Sequence, residues 1–194
     1  MIGRYLLGTR NKGLSINPTR ALKIDAYPDT DFAGLYGHED SSDPICVRSR
    51  TGFIITVAGC PVVWRSQLQS ETATSTMQAE VIAFAACCRV LIPIIDMVKE
   101  IGSAVGLSTS EKTEMHVSIH EDNAGCIALA KKLPPECTPA SKHYSIKTHW
   151  FRETCLLLGV SIQKIDTKEQ LGDICTKCLP VATFQYLRKK LMGF

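Results

Sequence analysis

The stretch LKIDAYPD, residues 22–29, decides the fold prediction for this chain. Every second residue from Leu22 to Ala26 is apolar, a period of two that is typical of a β-strand with one buried face. Pro28 cannot donate a hydrogen bond to a neighbouring strand, so the pattern is expected to end there. The strand therefore delivers Asp29 to its carboxyl end.

The next strands are predicted as an antiparallel hairpin. Residues 51–57 are apolar and rich in β-branched side chains, and a short connection containing Gly59 leads to a second apolar run at residues 61–64. Such a pair of runs around a tight turn is typical of a hairpin. Residues 37–50, rich in Asp, Ser and Pro, are expected to form an exposed loop.

A helical period begins at Ser75. Ser75 and Gln78 stand at the spacing of a capping box, and the apolar positions from 79 to 90 fall on one stripe. Glu80 lies in the first turns of this predicted helix. Pro93 is expected to kink the helix or to end its first segment.

The second half of the chain continues the alternation of strands and helices. Residues 115–119 read as a strand, after which Asp122 opens a helix, so this carboxylate lies at a strand-to-helix junction. A proline-rich loop is expected at residues 133–140. The remaining elements are a helix at 143–158, a strand at 160–165, and helices at 170–177 and 181–192. This order predicts an α/β chain with a mixed sheet, in which the first and fourth strands are candidates for parallel neighbours.

Composition sets broad limits on the protein. The chain has 194 residues, 45% of them hydrophobic, which is enough to bury one sizeable core, and we expect one domain plus short additions. The net charge of +3 permits a polyanionic partner without identifying one. No apolar run approaches the roughly 20 residues of a membrane span, and no secretory signal is recognisable. We therefore expect an intracellular protein, cytoplasmic or nuclear, with no membrane partner.

Nine cysteines are scattered through the chain, mostly in apolar stretches. In a chain of this length they are expected to be reduced core thiols and not a disulfide framework. Cys175 and Cys178 have the spacing of a metal or redox pair, but no second pair completes a tetrahedral zinc site, so we interpret them as structural or incidental. Trp64, at the end of the hairpin, is expected in the core and not as a platform for base stacking.

Two acidic residues, Asp29 and Asp122, are predicted where strands end, which is where ligands gather in open α/β sheets. Several carboxylates converging there can hold two divalent cations about 3.5 to 4 Å apart for phosphoryl displacement. Each acid also has a plainer interpretation. Asp29 can form a turn with Asp31, and Glu80 can be a first-turn carboxylate that the helix dipole stabilises. Asp122 can cap its helix, and Asp173 can be a solvated residue of a helix face.

Short motifs in a fixed order carry a resemblance across most of the chain. They are GRYLLGTRNKGL at 3–14, DTDFAG at 29–34, RSRTGF at 48–53, VWRS at 63–66, QAEVIA at 78–83, EDN at 121–123, a stretch from SKH to HWFRE at 141–153, and QLGDICTKCLP at 170–180. In this order they resemble the ribonuclease H domain of copia-type LTR retrotransposons, with residues 3–14 similar to the segment that links it to reverse transcriptase.

The resemblance implies a ribonuclease H-like fold, with a five-stranded mixed β-sheet flanked by α-helices. Residues 1–20 would be a remnant of the reverse transcriptase connection, residues 21–180 the ribonuclease H-like domain, and residues 181–194 a C-terminal helix. It also implies hydrolysis of the RNA strand of RNA·DNA hybrids during retrotransposon reverse transcription. The implied partners are the hybrid and a reverse transcriptase domain.

Position by position, the resemblance implies four catalytic, metal-binding carboxylates. They hold two Mg²⁺ ions, for which Mn²⁺ can substitute, and they are Asp29, Glu80, Asp122 and Asp173. Asp31 is a rival to Asp29, but Asp29 ends the strand and matches the first acid of the motif. Gln78 replaces the first acid of the motif around Glu80.

Departures from the family pattern keep a second interpretation open. Pro28 stands where the family has Ser, Ser145 where it has Asp, and Cys178 where it has Pro. The alternative is an inactive relic that serves as a structural or nucleic-acid-binding module. A further alternative is a related site that cuts DNA.

Basic residues of the helix at 143–158 and just before it have two interpretations each. His143 and His149 can shuttle protons, although structural hydrogen bonds are the commoner role of such residues. Lys142, Lys147 and Arg152 can contact phosphates or cover an exposed face.

Overall fold

The structure is a computed structural model that describes residues 2–19, 21–106, 115–131 and 142–194, with only the backbone for 142–144. The predicted loop at 133–140 lies outside the described residues. The elements in chain order are α1 (Ile2–Thr9), β1 (Lys23–Asp31), β2 (Arg50–Val57), β3 (Cys60–Leu68), α2 (Thr76–Ala104), β4 (His116–Glu121), α3 (Ala124–Lys131), α4 (Lys142–Leu157), β5 (Ser161–Lys164), α5 (Asp173–Thr176) and α6 (Val181–Met192). Short 3₁₀ turns lie at Pro44–Val47 and Thr167–Glu169.

The five strands form one mixed sheet in the order β3-β2-β1-β4-β5. β1 pairs antiparallel with β2 and parallel with β4, and β5 continues the parallel half. The predicted fold class, a five-stranded mixed sheet with flanking helices, is confirmed, as is the parallel pairing of the first and fourth strands. The sheet therefore has β1 at its centre, between β2 and β4.

The main core lies between α2 and one face of the sheet. β-Branched and aromatic residues of the strands point to this face at alternate positions, and α2 presents a buried stripe to them. Burying each such side chain contributes about 1.5–3 kcal/mol, which is why the long helix stays against the sheet. The largest fully buried members of this cluster are Ile24, Phe53, Ile55, Phe84, Leu91, Ile95, Ile119 and Phe151.

The other face of the sheet carries a smaller cluster. Ile54 points to this face because it alternates with Phe53 and Ile55, and it packs there with Leu171 and Leu187. Leu171 precedes α5 and Leu187 belongs to α6. This small cluster holds α5 near the carboxyl end of β1.

α2 differs from its prediction in two ways. It runs without interruption through Pro93 to Ala104, so of the two expected effects of this proline, the end of a segment is wrong and the kink stays a prediction. Burial of Leu91, Ile94 and Ile95 on either side of Pro93 offsets the missing backbone hydrogen bond. α2 is also long and apolar enough, by length and composition, to cross a membrane, which corrects the expectation that no run approaches that length. One helix of this kind is weak evidence for a membrane span, and half of its most apolar window is buried inside the protein.

Two element boundaries near the acidic residues differ from the sequence prediction. β1 does not end at Pro28 but continues to Asp31, because Pro28 to Asp31 stay paired with β2. Asp29 therefore lies two residues inside the strand. The helix predicted at 170–177 is only the short α5, preceded by a 3₁₀ turn.

Other predictions have mixed outcomes. The predicted loop at 37–50 contains a 3₁₀ turn with a buried Cys46. Trp64 is 63% exposed, so its expected place in the core is wrong. On β3, it lies opposite Ile54 of β2. The reduced, buried state expected for most cysteines holds for six of those in the described part of the chain, which are Cys46, Cys60, Cys87, Cys88, Cys126 and Cys155.

Candidate metal centre

Three carboxylates converge where β1 and β4 end. Asp29 comes from β1, Glu80 from the second turn of α2, and Asp122 from the residue after β4. One oxygen atom from each lies within 4.8 Å of the other two. Asp29 and Glu80 are buried, whereas Asp122 is partly exposed. An all-oxygen donor set of this size suits a hard divalent cation.

Glu80 is positioned by contacts at the start of α2. Ser75 caps the helix as predicted, since its side chain accepts a hydrogen bond from the Gln78 backbone. Gln69, buried at the end of β3, donates from Nε2 to the Ala79 carbonyl and to Thr51 Oγ1, both at 3.0 Å. The first turn of α2 is thereby tied to the sheet, with Glu80 immediately after the anchored carbonyl.

The electrostatics of this cluster favour a bound cation. Burial, reinforced by the charges of Glu121, Asp29 and Asp122, raises the pKa of Glu80 to about 10. Glu80 Oε2 is buried and has no hydrogen-bond partner in the described part of the chain. A divalent cation between these oxygens would bind the unpartnered Glu80 oxygen. It would also offset the repulsion between the like charges. The residues present therefore fit a metal ion.

Asp173 is buried but lies outside the group of three oxygens. It is the first residue of α5, and Lys177, at the end of the same helix, links it to Asp29. Lys177 Nζ lies 2.7 Å from Asp173 Oδ1 and 3.1 Å from Asp29 Oδ1. The structure thus brings Asp173 to the site through an ammonium group.

Asp29 is held from several sides. Thr176 Oγ1 donates a hydrogen bond to Asp29 Oδ2, and Lys177 binds the other oxygen. Burial raises the pKa of Asp29 to about 6, against the opposing charge of Lys177. Asp31, the rival considered from the sequence, is not part of the group of three converging oxygens.

The strands separate at this end of the sheet. Parallel pairing between β1 and β4 stops at Ala26 and Ile119, and beyond it Gln170 fills the gap. Gln170 Nε2 donates to the Pro28 carbonyl at 2.9 Å and to the His120 carbonyl at 3.3 Å. Because Pro28 has no N–H to donate, this buried amide takes the place of ladder hydrogen bonds and fixes the gap.

Glu121 is a site residue that the sequence prediction missed. It is fully buried, its Oε1 accepts a hydrogen bond from the Asn123 backbone at 3.1 Å, and its Oε2 has no partner among the described residues. Burial raises its pKa to about 8. The alternation of β4, in which Val117 and Ile119 face the core, was the available signal, since Glu121 continues it.

Asp122 is not the N-cap of α3, which was its alternative role from the sequence. Asn123 Oδ1 accepts from the Cys126 backbone at 3.0 Å, so Asn123 caps α3. The Asp122 carboxylate is therefore not needed as the cap.

The basic residues of α4 have structural partners where their side chains are described. Arg152 is buried and donates to the Leu129 carbonyl at 2.5 Å, and Lys147 pairs with Glu71 at 2.7 Å. His149 is exposed on α4. The side chains of Lys142 and His143 lie outside the described part.

Comparison with known proteins gives sequence relatives. No family model matches the chain. It is 30% identical over 190 residues to the retrovirus-related Pol polyprotein from transposon TNT 1-94 of Nicotiana tabacum, a match that covers 98% of the chain and 13% of that polyprotein. The Pol polyprotein from transposon RE1 of Arabidopsis thaliana is 28% identical over 188 residues, covering 97% of the chain and 12% of the relative.

Comparison with solved structures gives partial matches, two of which are described as ribonucleases H. LC11-RNase H1, isolated from compost, matches in complex with an RNA/DNA hybrid with a TM-score of 0.48 and 15% identity, over 76% of this chain and 88% of that one. The N-terminal RNase H domain of a Mycobacterium tuberculosis protein matches with a TM-score of 0.47 and 11% identity, over 87% and 98%. By its sequence matches, the chain is a homologue of the Pol polyproteins of copia-type plant transposons along nearly its whole length.

Proposed function

We propose that this chain is a ribonuclease H, an endoribonuclease that hydrolyses the RNA strand of RNA·DNA hybrids during retrotransposon reverse transcription. The observation that carries the proposal is the convergence of Asp29, Glu80 and Asp122 within 4.8 Å at the end of the sheet. The homology to transposon Pol polyproteins supports the biological setting. The chain spans only 13% of that relative, so partners such as a reverse transcriptase domain belong to the proposal.

Two divalent cations, Mg²⁺ or in its place Mn²⁺, would be held by Asp29, Glu80, Asp122 and Asp173. When bound, such cations supply an activated water and charge stabilisation for the leaving oxygen of a phosphodiester. The product would then keep a 5′-phosphate. These are the four acids expected from the sequence, of which Asp173 belongs to α5.

The chain's own residues prepare the site before any substrate arrives. Thr176 holds one oxygen of Asp29, and Gln69 anchors the backbone turn that carries Glu80. α5 shields Asp29 from water on one side. Asp122 is partly exposed, so the phosphate backbone of a hybrid can approach it. Recognition through backbone and 2′-hydroxyl groups predicts little sequence preference.

Cleavage of a labelled RNA·DNA hybrid in Mg²⁺ tests this proposal. We expect the wild-type chain to cut the RNA strand, and Asp122→Asn to reduce cutting to background because one of the three converging carboxylates loses its charge. Asp96→Asn, an exposed acid on α2, is the matched control and should cut normally. Wild-type cleavage no greater than that of Asp122→Asn would support the inactive relic and contradict the proposal.

Substrate preference provides a second check. The hybrid, duplex DNA and duplex RNA are offered at equal concentration, and preferential cutting of the hybrid is expected. Equal cutting of duplex DNA would show that the site serves a different nuclease reaction.

A further inference from the structure

We propose that Lys177 is a built-in cation of the metal centre, which occupies the position between Asp29 and Asp173 and is displaced when a divalent cation binds there. This inference rests on the proposed function, because it requires that these carboxylates receive metal. It adds an order of metal binding and a role for Lys177, to which the sequence prediction assigned none.

The position of the ammonium group is the first argument. Lys177 Nζ lies 2.7 Å from Asp173 Oδ1 and 3.1 Å from Asp29 Oδ1, and both carboxylates are buried. A magnesium ion held by these two carboxylates would have to occupy the space that the ammonium group fills. Nζ and such an ion would then be far too close for two positive charges, so they exclude one another.

The second argument is that the two parts of the centre are unequal. Asp29, Glu80 and Asp122 present converging oxygens, and no Lys or Arg forms an ion pair with Glu80 or Asp122 in the described part of the chain. A first divalent cation there would compete with at most one ion pair, the one between Lys177 and Asp29. A second one, between Asp29 and Asp173, has to replace two charge-assisted hydrogen bonds. The first position should therefore bind more tightly than the second.

The third argument is that Lys177 is free to leave. Its backbone is fixed at the end of α5, where its N–H bonds to the Asp173 carbonyl at 3.0 Å. Its side chain, however, is 35% exposed and has four flexible methylene groups that can carry the ammonium into solvent. Displacement then needs a rotation of the side chain and no movement of the helix.

The arrangement also explains why a lysine is needed without metal. Asp29 and Asp173 are both buried, and two such carboxylates at close range repel each other. The ammonium offsets this repulsion until a divalent cation replaces it. Lys177 thus keeps the metal-free centre assembled.

Calorimetric titration of the metal-free chain with Mn²⁺ tests the proposal, with Lys177→Met, Lys177→Arg and the exposed control Lys168→Met. For the wild type and for Lys168→Met we expect two binding events, the second at least 10-fold weaker than the first. Lys177→Met should tighten the second event at least 10-fold and change the first much less, because only the second position is vacated. Lys177→Arg keeps the charge and should leave the second event weak.

Thermal unfolding supplies a readout independent of binding. Lys177→Met should unfold at a lower temperature than the wild type without metal, and saturating Mn²⁺ should remove the difference. A difference of the same size with and without Mn²⁺ would show a purely structural ion pair and overturn the inference.

The binding outcomes separate this inference from the proposed function. An unchanged second event in Lys177→Met, or equal tightening of both events, overturns the displacement of Lys177 while the metal centre stands. A single event in the wild type and two in Lys177→Met support displacement, whereas a single event in both overturns it. No Mn²⁺ binding by any variant contradicts the proposed function itself.

Discussion

Gly172 lies so close to Asp29 that a methyl group added to it would come within 2.8 Å of Asp29 Cβ and 2.6 Å of the Tyr27 carbonyl oxygen. Real Cβ atoms essentially never approach neighbours this closely. α5 can therefore reach β1 only because the residue before it has no side chain. This contact brings Asp173, Thr176 and Lys177 to the Asp29 carboxylate.

Gly172→Ala should push α5 away from β1. The new methyl group meets backbone and a Cβ, neither of which can rotate aside, so we expect a loss of about 1–3 kcal/mol in the free energy of unfolding. Mn²⁺ affinity should fall as well, since Asp173 moves with the helix. Chemical denaturation and calorimetry measure the two effects.

The matched control is Gly102→Ala on α2, where nothing lies within 4 Å of an added Cβ. This change should stabilise the protein by about 0.5–1 kcal/mol, because alanine is the better helix former. If Gly172→Ala leaves both stability and metal affinity unchanged, the close approach is not needed.

The stability of the metal-free protein should fall as the pH rises. The pKa values of Asp29, Glu121 and Glu80 are raised to about 6, 8 and 10. Between about pH 4.5 and 10 the folded state thus binds more protons than the unfolded state, so unfolding becomes easier with each step upward. Each proton of difference gives about 1.4 kcal/mol per pH unit. Urea denaturation between pH 5 and 9 measures the slope.

Saturating Mg²⁺ should flatten or reverse that slope. The metal binds the deprotonated carboxylates, so its stabilisation grows with pH where the metal-free protein weakens. Glu121→Gln should reduce the slope without removing the Mg²⁺ effect, because Glu121 does not belong to the three converging oxygens. A slope that Mg²⁺ does not alter would argue against metal at these acids.

Glu80→Gln should separate stability from metal binding. The neutral amide removes a carboxylate whose charge is costly when buried, so the metal-free protein should become more stable at pH 8. Mn²⁺ affinity should fall by more than about 100-fold, beyond what outer-shell changes cause. Glu100→Gln, an exposed acid on the same helix, should change neither quantity. Retained Mn²⁺ affinity in Glu80→Gln would exclude Glu80 as a ligand.

Gln170→Leu should lower the stability of the protein, because Gln170 bridges the gap between β1 and β4. The substitution keeps the approximate shape but leaves the Pro28 and His120 carbonyls and the Gly172 N–H without their partner. Unsatisfied buried groups cost about 1–3 kcal/mol each, so we expect a loss of about 3 kcal/mol or more by denaturation. Gln163→Leu on exposed β5 is the control, with a change within about 0.5 kcal/mol. Equal effects of the two changes would show that the bridging amide is dispensable.

Several elements could be predicted because their signals are local. Alternation from Leu22 to Ala26 gave the central strand, and the apolar stripe after Ser75 gave α2. The wrong predictions have physical causes in contacts between residues that are distant in the sequence. Pro93 stays within α2 because its apolar neighbours are buried against the sheet, and β1 continues past Pro28 because β2 pairs with it.

The candidate site could be predicted only in part. Asp29 and Asp122 were placed at strand ends and Glu80 on a helix from periodicity alone, whereas Asp173 was included through family resemblance. Their roles as ligands stay predictions. The sequence prediction lacks Glu121 because the family motif points to Asp122, although the alternation of β4 directs Glu121 to the core.

The sequence by itself determined the order of strands and helices and the acids that they carry. The reason is that hydrophobic periodicity, helix caps and turns depend on residues close to one another in the sequence. Only the tertiary structure decided that Lys177 lies between Asp29 and Asp173, that Gln170 spans the separated strands, and that Gly172 allows α5 to approach. Lys177 and Asp29 are 148 positions apart, so their contact depends on how the sheet and α5 pack. Burial then sets the charge balance of the site, because the pKa of a carboxylate depends on the groups that surround it in space.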